Sequence, residues 1–392
     1  MKTLLALAIL CLLGIYGCSS PHSNYLPTNQ SMAVAAANNQ FAFEFYNQLD
    51  KDQNMFFSPY SISSAFGMVY EGAKGQTAEE LKQVFHFPDD NKAGYSEMFN
   101  ALNGNGAYTL EVANALWVQK DFSLLDSYQN TIKIDYHGTA TNLDFANTEA
   151  SRQTINSWVE QHTSNKIQNL IGEGMLTDQT KLVLTNAIYF KGAWAQAFEA
   201  KLTTDADFKR ESGQSEKVKM MHLYGKHFNY TQNDDLQMIE LPYKGDEISM
   251  VILLPKKDIS SIQSYLNPDS LSSLQSGMGS TEINVFLPRF KFKTSYELND
   301  PLIKMGMKTA FTSAADLSGV DGRQDLMLSF AVHQAYVEVN EEGTVAAAAT
   351  AIGDTATGIP KQFNANHPFV FLIRQKATGN ILFMGRVNDP KA

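Results

Sequence analysis

Residues 341–360 read EEGTVAAAATAIGDTATGIP, and the fold turns on what this stretch is. Propensity argues for helix over Val345 to Ala351, because Ala is the best helix former and a run of four is rare in strands. The flanks argue otherwise. Residues 335–339, AYVEV, alternate as a strand does, and Phe369 to Ile373 begins another. Between them lie about thirty small, mostly uncharged residues, far more than an ordinary connection in a compact domain; such a loop is usually functional or disordered.

Working outward, the rest of the chain reads as one packed body. Val34, Ala37, Phe41, Phe45 and Leu49 recur at the three-and-four spacing of an amphipathic helix that stops near Asp50. Leu182 to Phe190, Ile248 to Leu254, Glu282 to Phe292 and Pro368 to Arg374 read as strands, and Ile381 to Val387 pairs with the last across the turn at Ala377 to Asn380. Thr148 to Thr163 reads as a helix with Ile155, Trp158, Val159 and His162 on one stripe. Helices and strands are interleaved without a repeated βα unit, which predicts an α+β fold. With no internal repeat and no dividing linker, residues 31–392 are expected to form a single domain, large for its kind.

Composition excludes several function classes. Of 392 residues, 44% are hydrophobic and 18% charged, which rules out wholesale disorder and a multi-span membrane protein. The formal charge of -10 and the absence of basic runs longer than Lys256 and Lys257 argue against nucleic acid as a partner. Both cysteines, Cys11 and Cys18, fall in the first eighteen residues, so the body holds no disulfide framework and no cysteine nucleophile. Lys2 followed by an apolar run from Leu4 to Tyr16 fits a secretory leader over residues 1–17. The run ends IYGCSS, which resembles the lipobox of bacterial lipoproteins and marks Cys18 for lipidation. Residues 18–30 are polar and carry two prolines, so they read as a flexible tether. The expected location is extracytoplasmic, at the outer membrane or cell surface, with a periplasmic or secreted protein as the alternative. Ser19 after the cysteine favours the outer membrane by the same resemblance.

Signatures of catalysis are missing. No GxSxG, HExxH, GxxxxGKS/T or GxGxxG pattern occurs, and His222 and His227, five apart, are wrongly spaced to bind metal from one helix face. Neither metal nor cofactor is expected, and an enzyme is the weaker reading. His333, in LSFAVHQAYVEV, reads as a hydrogen-bonded core histidine.

Taken together, Asn54 to Leu81 (NMFFSPYSISSAFGMVYEGAKGQTAEEL), Leu182 to Phe198 (LVLTNAIYFKGAWAQAF), Met238 to Pro255, Phe363 to Ile373 (FNANHPFVFLI) and Gly379 to Val387 resemble the serpins. The resemblance runs from about residue 31 to Pro390. It implies the serpin fold: a large central mixed sheet, smaller sheets, eight or nine helices and an exposed reactive loop over about residues 341–362.

The resemblance also implies roles. Glu341, Glu342, Gly343, Thr344, Val345, Ala346, Ala347, Ala348, Ala349 and Thr350 resemble the hinge of inhibitory members. A loop that slides between strands needs small side chains without proline or buried charge, and Thr344 to Ile352 meets that need. The family spacing, counted forward from Gly343 or back from Pro368, places the scissile bond at Thr357–Gly358. Ser58, Ser61, Asn186 and His333 match the shutter that controls sheet opening. Trp194 matches the breach, where insertion starts, and Arg289 is expected to pair there with Glu341 and hold the loop hinge, since an exposed pair would contribute little energy. The implied activity is suicide inhibition by a monomer: the protease cuts the loop and is carried away as the loop enters the sheet. Fourteen residues would extend roughly 46 Å as a strand.

No Arg or Lys lies between Thr344 and Pro360, which disfavours trypsin-like targets. Ala356, Thr357 and Gly358 suit the small pockets of elastase-like or subtilisin-like serine proteases, with papain-like cysteine proteases second. A non-inhibitory serpin serving as a binding or structural protein is the competing class.

Overall fold

The computed structural model describes residues 25–103, 106–344 and 360–391. The chain opens with helix α1 (Asn29–Tyr46), strand β1 (Met55–Phe57) and helices α2 (Pro59–Gly72), α3 (Gly75–Phe85) and α4 (Asn91–Leu102). Strand β2 (Tyr108–Gln119), helix α5 (Asp126–Asp135), strand β3 (Thr139–Leu143), helix α6 (Thr148–His162) and strand β4 (Leu182–Ala193) follow. Strands β5 (Thr204–Lys209), β6 (Ser215–Gln232), β7 (Leu236–Pro242) and β8 (Ile248–Pro255) come next, then helix α7 (Pro268–Ser276). Strands β9 (Gly279–Pro288) and β10 (Phe290–Glu297) lead to helices α8 (Asn299–Met305) and α9 (Ser318–Asp321). The chain closes with strands β11 (Leu328–Val339), β12 (Gly343–Thr344), β13 (Lys361–Asn364), β14 (Phe369–Gln375) and β15 (Ile381–Val387).

Local chemistry explains the boundaries. Thr28 caps α1 by accepting from the Ser31 N–H, and the Ser31 hydroxyl returns the bond, so the helix starts at Asn29, inside the stretch read as tether. Val34, Phe41 and Phe45 are buried as the periodicity requires, but the helix stops at Tyr46, short of Asp50. In α6, Ile155 and Val159 are buried and Trp158 meets Trp117 edge-on at 5.5 Å, whereas His162 stacks on Trp158 from the solvent side. The stretch Glu282 to Phe292, expected as one strand, is two. Pro288 offers no N–H to continue a ladder, the Arg289 N–H turns to the Lys219 carbonyl at 2.8 Å, and Phe290 starts pairing in the other sheet.

The strands form two sheets. One has six strands in the order β10-β11-β4-β2-β3, with β12 on β4. The other has nine, in the order β1-β15-β14-β8-β7-β6-β9-β13, with β5 on β6. Leu182, Leu184 and Ile188 of β4 face the main core, whereas Val183 and Ala187 face a second cluster beneath α6. That second cluster also takes Ala113 and Trp117 from β2, Phe330 and Val332 from β11, and Ile167 to Leu176 from the chain after α6. The architecture is the α+β mixed-sheet fold that the sequence implies, with nine α-helices among the described residues.

Candidate functional site

At the centre of the six-stranded sheet β11 and β4 run parallel, from Leu328 opposite Leu182 to Tyr336 opposite Tyr189. Their outer neighbours, β10 and β2, pair with them antiparallel. Parallel pairing is slightly weaker per residue, and a strand entering between β11 and β4 in the opposite sense would make every contact across the seam antiparallel.

Such a strand has already begun. After Val339 the chain turns back: the Asn340 N–H donates to the Gly343 carbonyl at 2.9 Å and the Gly343 N–H to the Asn340 carbonyl at 3.2 Å. β12 then pairs antiparallel with β4, Gly343 opposite Ala193 and Thr344 opposite Gly192. Gly343 has φ +140°, and a Cβ there would stand 2.2 Å from the Gly192 carbonyl oxygen, so only glycine lets the two backbones meet. Thr344 is buried, its hydroxyl 2.9 Å from the hydroxyl of Tyr243.

Trp194 closes the upper end. Its ring stacks on Tyr243 at 4.6 Å, its indole N–H donates to the Asn340 carbonyl at 3.0 Å, and its backbone N–H donates to the Glu342 carbonyl at 2.9 Å. Arg289, standing where the chain crosses between sheets, donates through Nε to Glu341 at 2.7 Å, and the Thr203 hydroxyl donates to the same carboxylate oxygen. The pair is half-buried: the Glu341 side chain is 7% exposed and that of Arg289 is 44% exposed. Burial pushes the Glu341 carboxyl up, but the hydrogen bonds from Arg289 and Thr203 outweigh it and hold the group below its ordinary value.

Lower in the seam, register lines up a polar row on the main-core face. Asn114 of β2 lies opposite Asn186 of β4, Asn186 opposite His333 of β11, and His333 opposite Tyr296 of β10. All but Tyr296 are buried, and α2 covers the row with its N-terminal turn. Ser58, the N-cap, accepts from the Ser61 N–H at 3.0 Å and donates its hydroxyl to the Leu382 carbonyl of β15 at 2.6 Å. The Ser58 N–H donates to His333 Nε2 at 3.1 Å, so Nε2 carries no proton and the Nδ1–H donates to Asn186 Oδ1. Asn186 Nδ2 in turn donates to the Ser61 carbonyl at 3.0 Å and to Asn114 Oδ1. Burial lowers the His333 pKa to about 3, so the imidazole is neutral.

The structure therefore brings Ser58, Ser61, Asn186 and His333 into one network and Trp194, Arg289 and Glu341 into another. Glu341, Glu342, Gly343 and Thr344 form the turn and first strand pair of the loop. Val345, Ala346, Ala347, Ala348, Ala349 and Thr350, the Thr357–Gly358 bond, Cys18 and the leader lie outside the described residues. Asn114, Tyr243, Thr203 and Tyr296 complete the two networks without having been singled out. Asn114 had a signal, a lone polar residue in the apolar VANALWV; nothing local marks the other three.

Comparison with known proteins agrees with this geometry. The family model for serpin (serine protease inhibitor) matches residues 36–390. A serpin-like protein of Methanosarcina mazei is 40% identical, with 91% of this chain and 88% of that one covered. The bovine leukocyte elastase inhibitor is also 40% identical, covering 91% of this chain and 99% of its own. The crystal structure of Serpin48 from the insect Tenebrio molitor superposes with a TM-score of 0.82 at 34% identity, covering 92% of this chain and 98% of its own.

Proposed function

The chain belongs to the serpin family, whose members are generally protease inhibitors, and on that premise we propose that it traps proteases by inserting its cleaved loop between β11 and β4. The observation that carries the reading is β12, an antiparallel start on an insertion that the parallel seam below it can receive.

Two registers support it independently. Continuing the pairing of Gly343 with Ala193, residue by residue along β4, puts Thr350 opposite Asn186 and Asp354 opposite Leu182. Continuing the pairing of Gly343 with Asn340 along β11 puts Thr350 opposite His333. Both counts bring Thr350 between the two residues whose hydrogen bond insertion must break. Thr344, Ala346, Ala348, Thr350 and Ile352 would share the face toward the main core. Ala346 and Ala348 would meet Phe190 and Ile188, and Thr350 would meet the polar row. Asp354 would end at the first residue of β4, beside Lys181, where its charge escapes burial. If each new ladder bond contributes about 1 kcal/mol net, insertion from Thr344 to Asp354 gains on the order of ten kcal/mol before packing.

In the proposed reaction the protease nucleophile attacks the carbonyl of Thr357 and the bond to Gly358 breaks. The new amine of Gly358 keeps the transferred proton, and Thr357 remains acylated to the enzyme. Insertion then drags the acyl-enzyme from its substrate geometry. Elastase-like or subtilisin-like serine proteases fit Ala356 and Thr357, and the 40% identity to an elastase inhibitor supports the first of these. Lipidation at Cys18 would hold the inhibitor at a membrane surface.

Incubation with pancreatic elastase, subtilisin and papain tests the reading. An SDS-stable complex is expected, with mass spectrometry mapping the cut at Thr357–Gly358. Cleavage without any stable complex across this panel would assign the chain to the non-inhibitory class.

A further inference from the structure

Basic residues adjoin at two places in the sequence, Lys209–Arg210 and Lys256–Lys257. Lys209 ends β5, Lys256 follows β8, and β6 and β7 lie between those strands in the sheet. The fold nevertheless brings both pairs to the wall of one cavity of about 670 Å³, within the size range of small-molecule sites. The Asn366–His367 turn joins them. The Lys209 N–H donates to the Asn366 carbonyl at 2.8 Å, and His367 Nε2 donates to the carbonyl of Pro255, the residue before Lys256, at 2.7 Å. Buried Ile259 and Pro368 supply an apolar part of the wall.

The charges around this cavity do not cancel. Arg210 is committed: its Nε donates to Glu216 at 2.7 Å, and a terminal nitrogen pairs with Asp389. The two carboxylates on the wall are committed as well. Glu211 accepts from Arg386 at 3.0 Å and from the Ile259 N–H at 3.1 Å, and Asp258 accepts from the Ser261 N–H at 3.2 Å. Lys209, Lys256 and Lys257 are exposed, and their ammonium groups meet no carboxylate, other acceptor or ring among the described residues. Three unpaired cations thus face one cavity on a chain of formal charge -10. Like charges held together repel one another, and a cleft concentrates their field on any anion that enters.

We propose that this cavity binds a compact, soluble diphosphate, with Lys209 on one side of the turn and Lys256 and Lys257 on the other. Lysine ammonium groups serve phosphate as point charges, and cations arriving from two sides suit two phosphoryl groups. The rim selects for compactness. Asp207, two residues before Lys209, is exposed, as is Asp234, whose neighbour Asp235 accepts the Lys256 N–H on its carbonyl at 2.7 Å. A long polyanion or an anionic lipid surface reaching past the lysines meets these carboxylates, whereas a ligand that ends inside the cavity does not. The site does not depend on the inhibitory reading, because its walls belong to the body of the fold.

Isothermal titration of the full-length protein with inorganic pyrophosphate at low ionic strength is the test. One site per chain is expected, weakening as salt is raised. Lys256→Gln/Lys257→Gln and, separately, Lys209→Gln should each weaken binding by about tenfold or more. Lys217→Gln/Lys219→Gln, which removes two charges paired with Asp207 and Asp205 on the same hairpin outside the cavity, should stay within about twofold of wild type. Pyrophosphate should also raise the melting temperature of wild type and leave that of Lys256→Gln/Lys257→Gln unchanged, since the ligand binds only where the fold joins the two pairs. Neither heat nor a melting shift at millimolar pyrophosphate overturns the proposal. Equal weakening in Lys217→Gln/Lys219→Gln also overturns it, by making the attraction a property of the hairpin's general field. Flotation with vesicles containing phosphatidic acid separates a lipid headgroup from a free diphosphate: vesicle binding that Lys256→Gln/Lys257→Gln abolishes, without pyrophosphate binding, overturns the soluble ligand.

Discussion

Lowering the pH from 7.5 to 5.0 is expected to weaken the closed seam through one residue, His333. The fold holds this imidazole neutral with a pKa of about 3, against 6.5 for an ordinary histidine, because it is buried without a charged partner. Protonation would place an Nε2–H against the Ser58 N–H, two donors facing each other. A depressed pKa means that the unfolded chain binds the proton more readily. The stabilisation is therefore complete above pH 6.5 and drains away as the pH falls toward 3. At pH 5.0 the unfolded imidazole is almost fully protonated and the folded one almost fully neutral, which costs about 2 kcal/mol; at pH 7.5 the cost is below ~0.1 kcal/mol. Urea unfolding of wild type and His333→Gln at both values reads this directly, since Gln can hydrogen-bond but does not titrate. The stability gap between the two proteins should move by about 2 kcal/mol in favour of the variant as the pH drops. The other depressed histidines, His137 and His222, cancel in that difference. A gap that stays constant within ~0.5 kcal/mol would refute the argument that the seam depends on a neutral, buried imidazole.

Thr344→Arg puts a cation where a buried hydroxyl meets Tyr243, at a cost of several kcal/mol to the first inserted position. It should raise the fraction of protease that escapes after cleavage severalfold, read as the inhibitor-to-enzyme ratio needed for full inhibition. Thr350→Val leaves His333 and Asn186 without the hydroxyl that should replace their mutual bond; the cleaved form should lose about 1–3 kcal/mol in thermal or urea denaturation while the intact form is unchanged. Glu341→Gln weakens the charge-assisted bonds from Arg289 and Thr203, and a loss of about 1–2 kcal/mol is expected at pH 7, shrinking as acid titrates the wild-type carboxylate. Cys18→Ala should abolish metabolic labelling by palmitate and release the protein from the membrane fraction; labelling that survives would place the acyl group elsewhere.

Legibility differed by kind of feature. Elements with a strong period could be read directly: β15 spans Ile381–Val387 as expected, and α6 ends one residue early. The long strand expected across Glu282 to Phe292 failed because periodicity cannot say which sheet a strand joins, and the break at Pro288 is what puts Arg289 in reach of Glu341. The polar row was half legible. Buried Asn186 and His333 stand out in apolar stretches, but their adjacency to Asn114 and Tyr296 is a fact of register between strands far apart in sequence. Tyr243 was illegible for the same reason: its partners are Thr344 and Trp194, 101 and 49 positions away. The helix propensity of Val345 to Ala351 falls on residues outside those described.

On the proposed insertion mechanism, the cluster beneath α6 would give the molecule a clock. Val183 and Ala187 come from one side of the seam and Phe330 and Val332 from the other, so α6 and the chain after it are glued across the line along which the sheet would have to part. Two fates would compete once a protease had cut the loop: release by water, or arrival of the strand. The grip of Ile155, Val159 and Trp158 would set the pace of the second fate without touching the first. A tighter grip would yield a more durable folded protein and a poorer trap; a looser one would capture faster but fire without a target. Packing that looks like ordinary core is, on this mechanism, where the inhibitor's timing is written.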